Sequence, residues 1–167
     1  MVTMARAFIC DPEYGKKIYE GRGEDVVPCI RCNKCHGEST SGPWYSACSV
    51  NPKMGISTAV RMIEPPAMSK KVAVIGGGPA GMKAAITAAE RGHKVTLYEK
   101  ASTLGGLLKH SDYSPYKWAI KDFKDYLARR MEKIGVKVIL NTEATPEMIK
   151  GKGYDTIVVA VGSEPEG

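Results

Sequence analysis

The chain has 167 residues, 43% hydrophobic and 25% charged, which suffices for one ordinary core, or a small domain with an appendage, and is too apolar for a disordered segment. No apolar run approaches the length of a membrane span, and the N-terminal MVTMARAFICDPEY lacks the order of an export signal, so a reducing, cytoplasmic setting without disulfides or a membrane is expected. The formal net charge is +6, yet the 16 Lys and Arg of residues 70–167 are interleaved with 11 Asp and Glu, as in KDFKDYLARRMEK, which reads as a solvated helix face and argues against nucleic acid as a partner.

Residues 1–28 are short and mixed in texture, with a turn at Asp11-Pro12. Residues 29–69 read as loop, with four of the five cysteines, Gly42-Pro43, Asn51-Pro52 and Pro65-Pro66, and no sustained helical or strand period. Residues 64–69 form a linker, because the residue before each proline is pushed towards extended conformations. From Lys70 the pattern becomes regular. KVAVIG (71–76) is a buried strand ending in glycines, 79–91 an Ala-rich helix stopped by Gly92, and KVTLYE (94–99) a second strand. After the irregular ASTLGGLLKHSDYS, a helix is predicted over 115–134, with an apolar stripe of Tyr116, Ile120, Phe123, Leu127, Met131 and Ile134. VKVIL (136–140) is a third strand, 146–150 a short helix and DTIVVAVG (155–162) a fourth strand. Strands alternating with helices imply an α/β fold with a parallel, doubly wound sheet.

The first strand runs into Gly76-Gly77-Gly78-Pro79-Ala80-Gly81, which fits G-x-G-x-x-G after a buried strand and at the opening of a helix. Gly76 would allow the tight turn, Gly78 would keep side chains away from a pyrophosphate, and Gly81 would let helix and strand pack closely. Pro79 and Ala80 open the first helical turn, whose free N–H groups would face the phosphates. Glu99 lies 21 residues after Gly78, where its carboxylate can accept from ribose hydroxyls, with Lys100 beside it. That carboxylate would repel a 2′-phosphate. A Rossmann-like dinucleotide site is therefore expected.

Four cysteines follow C-x2-C-x2-C-x12-C: Cys29, Cys32, Cys35 and Cys48. The first three are too crowded for easy mutual disulfides. Zinc usually takes two separated pairs, and Cys48 has no neighbouring partner, although His36 could substitute. A [4Fe–4S] cluster accounts for the spacing better, with three closely spaced thiolates meeting three irons and a distant cysteine closing the fourth. Cys10 reads as a small, semi-buried thiol separate from these ligands. His36, His93 and His110 read as surface or structural histidines, Tyr113 and Tyr116 as packing residues, and no catalytic residue is assigned.

VAVIGGGPAGMKAA, then VTLYEK, then LGG, resembles the FAD-binding half of two-dinucleotide-domain flavoproteins. In those, the LGG loop lies against the flavin nucleotide, which implies the same for Leu104, Gly105 and Gly106. Their "ATG" motif appears here as Ala160-Val161-Gly162, so backbone contact is implied at Gly162 alone. FICDPEYGKKIYEGRGEDVVPCIRCNKC, then CSVNP and VAVIGGGPAGM, resembles the NADH:flavin oxidoreductase family. These are the long, iron–sulfur relatives of old yellow enzyme, of 2,4-dienoyl-CoA reductase, trimethylamine dehydrogenase and enoate reductase type. The resemblance implies that residues 1–28 are the tail of a (β/α)8 FMN barrel, with Arg6 at the position that contacts the FMN phosphate. It implies a [4Fe–4S] loop and linker over 29–69, and the first part of an FAD domain, or one holding ADP alone, over 70–167.

On this resemblance the chain is a fragment lacking most of the barrel and the NAD(H) domain, so FMN and the nicotinamide nucleotide would bind outside it. The implied function is electron relay in an oxidoreductase that reduces activated C=C bonds with NAD(P)H, or dehydrogenates amines, acting on a small-molecule substrate, with a homo-oligomer as an expected assembly. Two alternatives stand beside it: a standalone electron-transfer module docking on a partner flavoprotein, and a zinc-stabilised nucleotide-binding protein.

Overall fold

The structure, a computed structural model, describes residues 3–37, 47–56, 59 and 64–163. Gly42-Pro43 lies outside the described residues. The chain divides into two compact units, Met1–Glu64 and Pro65–Gly167.

Among its described residues the first unit has the short helices α1 (Arg6–Cys10), α2 (Tyr14–Tyr19) and α3 (Lys34–Gly37), with a 3₁₀ turn at Gly23–Asp25. Helices this short are not stable alone and leave no periodic trace in the sequence, so tertiary bonds must hold them. Asp11 supplies several. It is 3% exposed. Its Oδ1 accepts from the Glu13 N–H at 3.0 Å, and its Oδ2 accepts from Lys17 Nζ at 2.6 Å and from the Val27 N–H at 2.9 Å. One buried carboxylate thus ties the end of α1, the body of α2 and the strand-like approach to Cys29. Buried ion pairs persist only when such extra donors satisfy the charge.

The second unit is a four-stranded parallel sheet of β1 (Lys71–Ile75), β2 (Lys94–Tyr98), β3 (Lys137–Ile139) and β4 (Thr156–Val159), in the order β3-β2-β1-β4. The expected α/β class and parallel sheet are met. β1 is central, and Val72, Ala73 and Val74 are at most 4% exposed, as a run of small and β-branched residues covered on both faces requires. α4 (Pro79–Glu90) packs against β1, β2 and α5 (Trp118–Lys133). On the other face Ile149, from α6 (Pro146–Lys150), packs with Ala73 and Tyr98. Helices on both faces make the sheet doubly wound.

The sequence expectation needs one correction in α5. The helix starts at Trp118, and Pro115–Lys117 is a separate 3₁₀ turn. Tyr116, placed on the apolar stripe, is 95% exposed, and Tyr113 is 82% exposed, so neither packs into the core. The stripe instead buries Ala119, Tyr126, Leu127 and Met131. The outer face is charged, with Lys121 on Asp125 at 2.7 Å and Arg130 on Glu90 at 2.8 Å, as the interleaved charges predict. Among the described residues, no helix is long and apolar enough to cross a membrane.

Candidate functional site

The chain adds β2 and β3 on one side of β1 and then crosses back to add β4, parallel, on the other side, and in open α/β sheets such a switch point opens a crevice at the carboxyl ends of the strands. A cleft of about 390 Å³ lies there, lined by Gly76, Glu99, Lys100, Thr142, Glu143 and Gly162 among others. It brings together four residues singled out from sequence: Gly76, Glu99, Lys100 and Gly162.

The glycine turn is shaped by close approach. Gly76 has φ 106°, and a Cβ there would overlap the Ala160 carbonyl oxygen at the end of β4. A Cβ on Gly81 would overlap the carbonyl oxygen of Gly76. Helix α4 therefore reaches the strand end only because Gly81 has no side chain. Gly78 is the N-cap of α4, extended at φ −72°, ψ 177°, with Pro79 following at the first helical position, where its missing N–H costs nothing. A Cβ on Gly78 would meet nothing nearer than the Gly106 Cα at 3.8 Å. The N–H groups of this first turn lack intrahelical acceptors and carry the positive end of the helix dipole, which suits phosphate oxygens.

Glu99 is 8% exposed, and its partners are backbone groups. Oε2 accepts from the Gly77 N–H at 2.6 Å, and Oε1 accepts from the Ala101 N–H at 2.7 Å. A carboxylate has about four lone-pair sites, so each oxygen keeps one for a ribose hydroxyl. The carboxylate thus shapes the glycine turn as well as lining the cleft. Gly77, the unassigned middle glycine, proves structural: a Cβ there would stand 2.6 Å from Leu104 Cδ2 and 2.9 Å from Glu99 Oε2. The Leu104-Gly105-Gly106 loop lies over the same turn, and the Gly105 N–H donates to the Gly77 carbonyl at 2.9 Å. Lys100 and Ala80 are exposed beside it. His93 is structural, Nδ1 accepting from the Lys70 N–H at 3.2 Å, while His36 and His110 are exposed.

In the first unit all five cysteines are free thiols. Cys32 is flanked by Arg31 and Asn33, both left-handed at φ 57° and 56°. Asn tolerates this conformation, whereas for Arg it costs about 1 kcal/mol, so the tight double turn around Cys32 is held against strain. Asn33 Oδ1 accepts from Arg6 Nη1 at 2.8 Å, which places Arg6 beside this loop. Cys32 Sγ lies 3.3 Å from Ser49 Oγ, and that hydroxyl, stabilising the thiolate, pulls the Cys32 thiol below the ordinary range. Cys29 Sγ accepts from the Arg31 N–H at 3.4 Å, and Cys35 is half-buried on α3. Cys48 Sγ is 3.8 Å from Cys10 Sγ. Burial pushes the Cys10 thiol far up, and the neighbouring Cys29 and Cys48 thiols add to this. Cys10 is therefore buried, as expected, but not separate from the ligand candidates. Its neighbour is 38 residues away in sequence, a proximity only the fold creates.

Among the described residues, no three His, Cys, Asp or Glu side chains converge closely enough to enclose one ion. The donor set of Cys29, Cys32, Cys35 and Cys48 is all sulfur, which fits an iron–sulfur cluster. The glycine turn, the first turn of α4 and Glu99 fit a dinucleotide.

Fold and site together define a Rossmann-type dinucleotide-binding unit preceded by a thiol-bearing segment, an arrangement similar to that of flavin-dependent oxidoreductases. Residues 71–119 match the family model described as FAD dependent oxidoreductase. The chain is 44% identical over 165 residues to the NADH oxidase of Thermoanaerobacter brockii, a match covering 98% of this chain and 25% of that protein. It is 37% identical to the cinnamate reductase of Clostridium sporogenes, over 99% of this chain and 25% of that one. The solved structure of 2-naphthoyl-CoA reductase in complex with 2-naphthoyl-CoA superposes with a TM-score of 0.86 at 39% identity, over 98% of this chain and 25% of that one. The expected resemblance to NADH:flavin oxidoreductases is thus present along essentially the whole chain, which spans about a quarter of the length of the curated relatives it matches.

Proposed function

We propose that this chain is the electron-relay portion of an FMN, FAD and iron–sulfur oxidoreductase that draws on NAD(P)H to reduce an activated C=C bond in a small molecule. One observation carries the reading: the 165 residues similar to an NADH oxidase take in both the thiol segment and the nucleotide turn. The names of the reductases among its relatives supply the C=C chemistry.

In this reading Cys29, Cys32, Cys35 and Cys48 hold a [4Fe–4S] cluster. Gly76, Gly78, Pro79, Ala80 and Gly81 present backbone to the FAD phosphates, Glu99 and Lys100 meet the ribose, and Gly105, Gly106 and Gly162 line the nucleotide. Residues 1–28 close an FMN barrel, with Arg6 at the position that meets the FMN phosphate; 29–69 carry the cluster loop and 70–167 begin the FAD domain. The flavin and the cluster supply conversion between two-electron and one-electron transfer. The protein's own part is to place the Ser49 hydroxyl against the Cys32 sulfur, to keep the glycine turn open through Glu99, and to anchor the thiol loop through Asp11.

The test is the bound nucleotide and the visible chromophore. Heat release from anaerobically purified protein should yield FAD, or ADP; NADP would refute the Glu99 assignment. Cys35→Ser should bleach the iron–sulfur absorption while Cys10→Ser leaves it; equal effects would refute the ligand set.

A further inference from the structure

We propose that Cys10 tunes the reduction potential of the cluster by donating its thiol hydrogen to the sulfur of Cys48. This rests on the reading of Cys29, Cys32, Cys35 and Cys48 as cluster ligands.

The geometry supports the contact from two sides. Cys10 is 5% exposed at the end of α1, and its sulfur lies 3.8 Å from that of Cys48, within reach of a weak S–H···S hydrogen bond. The two segments are also clamped by a side-chain-to-backbone bond. Asn51 Nδ2, three residues beyond Cys48, donates to the Ile9 carbonyl at 2.7 Å, immediately before Cys10. On the other side of Cys10, Asp11 is fixed by Lys17 and the Val27 N–H. The thiol therefore has a defined position against the Cys48 sulfur. Hydrogen bonds to cluster sulfurs and exclusion of solvent are what the protein uses to set the potential of such a group. A donor withdraws electron density from the Cys48 thiolate, favours the more negative reduced state and raises the potential. Cys10 is then a positioning and tuning residue, not a fifth ligand.

The experiment compares the anaerobically purified full chain with Cys10→Ala and Cys10→Ser. Iron and acid-labile sulfide are measured first, and their absence from the unaltered protein would remove the cluster reading and this one with it. With the cluster in place, a redox titration followed by electron paramagnetic resonance reads the midpoint. Cys10→Ala should shift the reduced-to-oxidised ratio at fixed potential about tenfold towards oxidised, a midpoint lower by about 59 mV for one electron. Cys10→Ser, which keeps a donor, should stay nearer the unaltered value. A midpoint in Cys10→Ala within threefold of the unaltered ratio overturns the proposal. So does loss of iron from both variants, which would make Cys10 a ligand or a structural thiol. If only Cys10→Ala loses its cluster, the serine variant decides: an unaltered midpoint supports the proposal, and a shift beyond threefold overturns it.

Discussion

Glu99→Gln is a sharp perturbation of the nucleotide site because the change is nearly isosteric and the carboxylate is almost fully enclosed. Both of its oxygens accept from backbone N–H groups, Gly77 at 2.6 Å and Ala101 at 2.7 Å. An amide keeps one acceptor, so one N–H loses its partner and faces an NH₂ donor instead. Losing a hydrogen bond to a charged acceptor costs about 1.5–3 kcal/mol. For a unit the size of Pro65–Gly167, each kcal/mol lowers the unfolding midpoint by about 4–8 °C, so a fall of about 8–16 °C follows from a loss of about 2 kcal/mol. Thermal and urea unfolding followed by circular dichroism would read this, and nucleotide retention on the same samples should fall with it. A glutamine variant within about 0.5 kcal/mol of the unaltered protein would show that these two bonds do not hold the glycine turn, since surface substitutions alone stay in that range.

Three further outcomes follow. Gly81→Val should cost about 3 kcal/mol or more in chemical denaturation, because its Cβ would overlap the Gly76 carbonyl oxygen; a shift below 1 kcal/mol would mean that α4 and the strand end can separate freely. Asp11→Asn leaves Lys17 without its charge partner, costs about 3 kcal/mol, and should speed loss of the visible chromophore in air; an unchanged rate would detach Asp11 from the thiol loop. Burial, reinforced by the hydrogen bond to Tyr154 at 2.8 Å, pushes the Tyr98 phenol up to about 12. The folded state then keeps a proton that the unfolded chain has released, so stability falls as pH rises from about 10 to about 12, and Tyr98→Phe should flatten that slope in urea titrations.

The second unit was largely legible in the sequence because its elements are long or strongly patterned. The run Val72-Ala73-Val74 before glycines has no competing structure, and observed strands and helices differ from expectation by at most three residues at their ends. Tyr116 was misplaced because Pro115 opens a 3₁₀ turn, which breaks the helical period before Trp118. In the first unit, α1 to α3 span four to six residues each, too few for a period to register. The position of Glu99 could be read from spacing. Its backbone partners could not, because they depend on how the Gly77 turn and the Leu104 loop pack. The meeting of Cys10 with Cys48 was hidden for a similar reason. It needs the Asn51 clamp across more than forty residues, and no local pattern encodes it.

Iron, acid-labile sulfide and zinc measured on one anaerobic sample test the central claim most directly. The account predicts about four iron and four sulfide per chain with little zinc. Stoichiometric zinc without sulfide would contradict it.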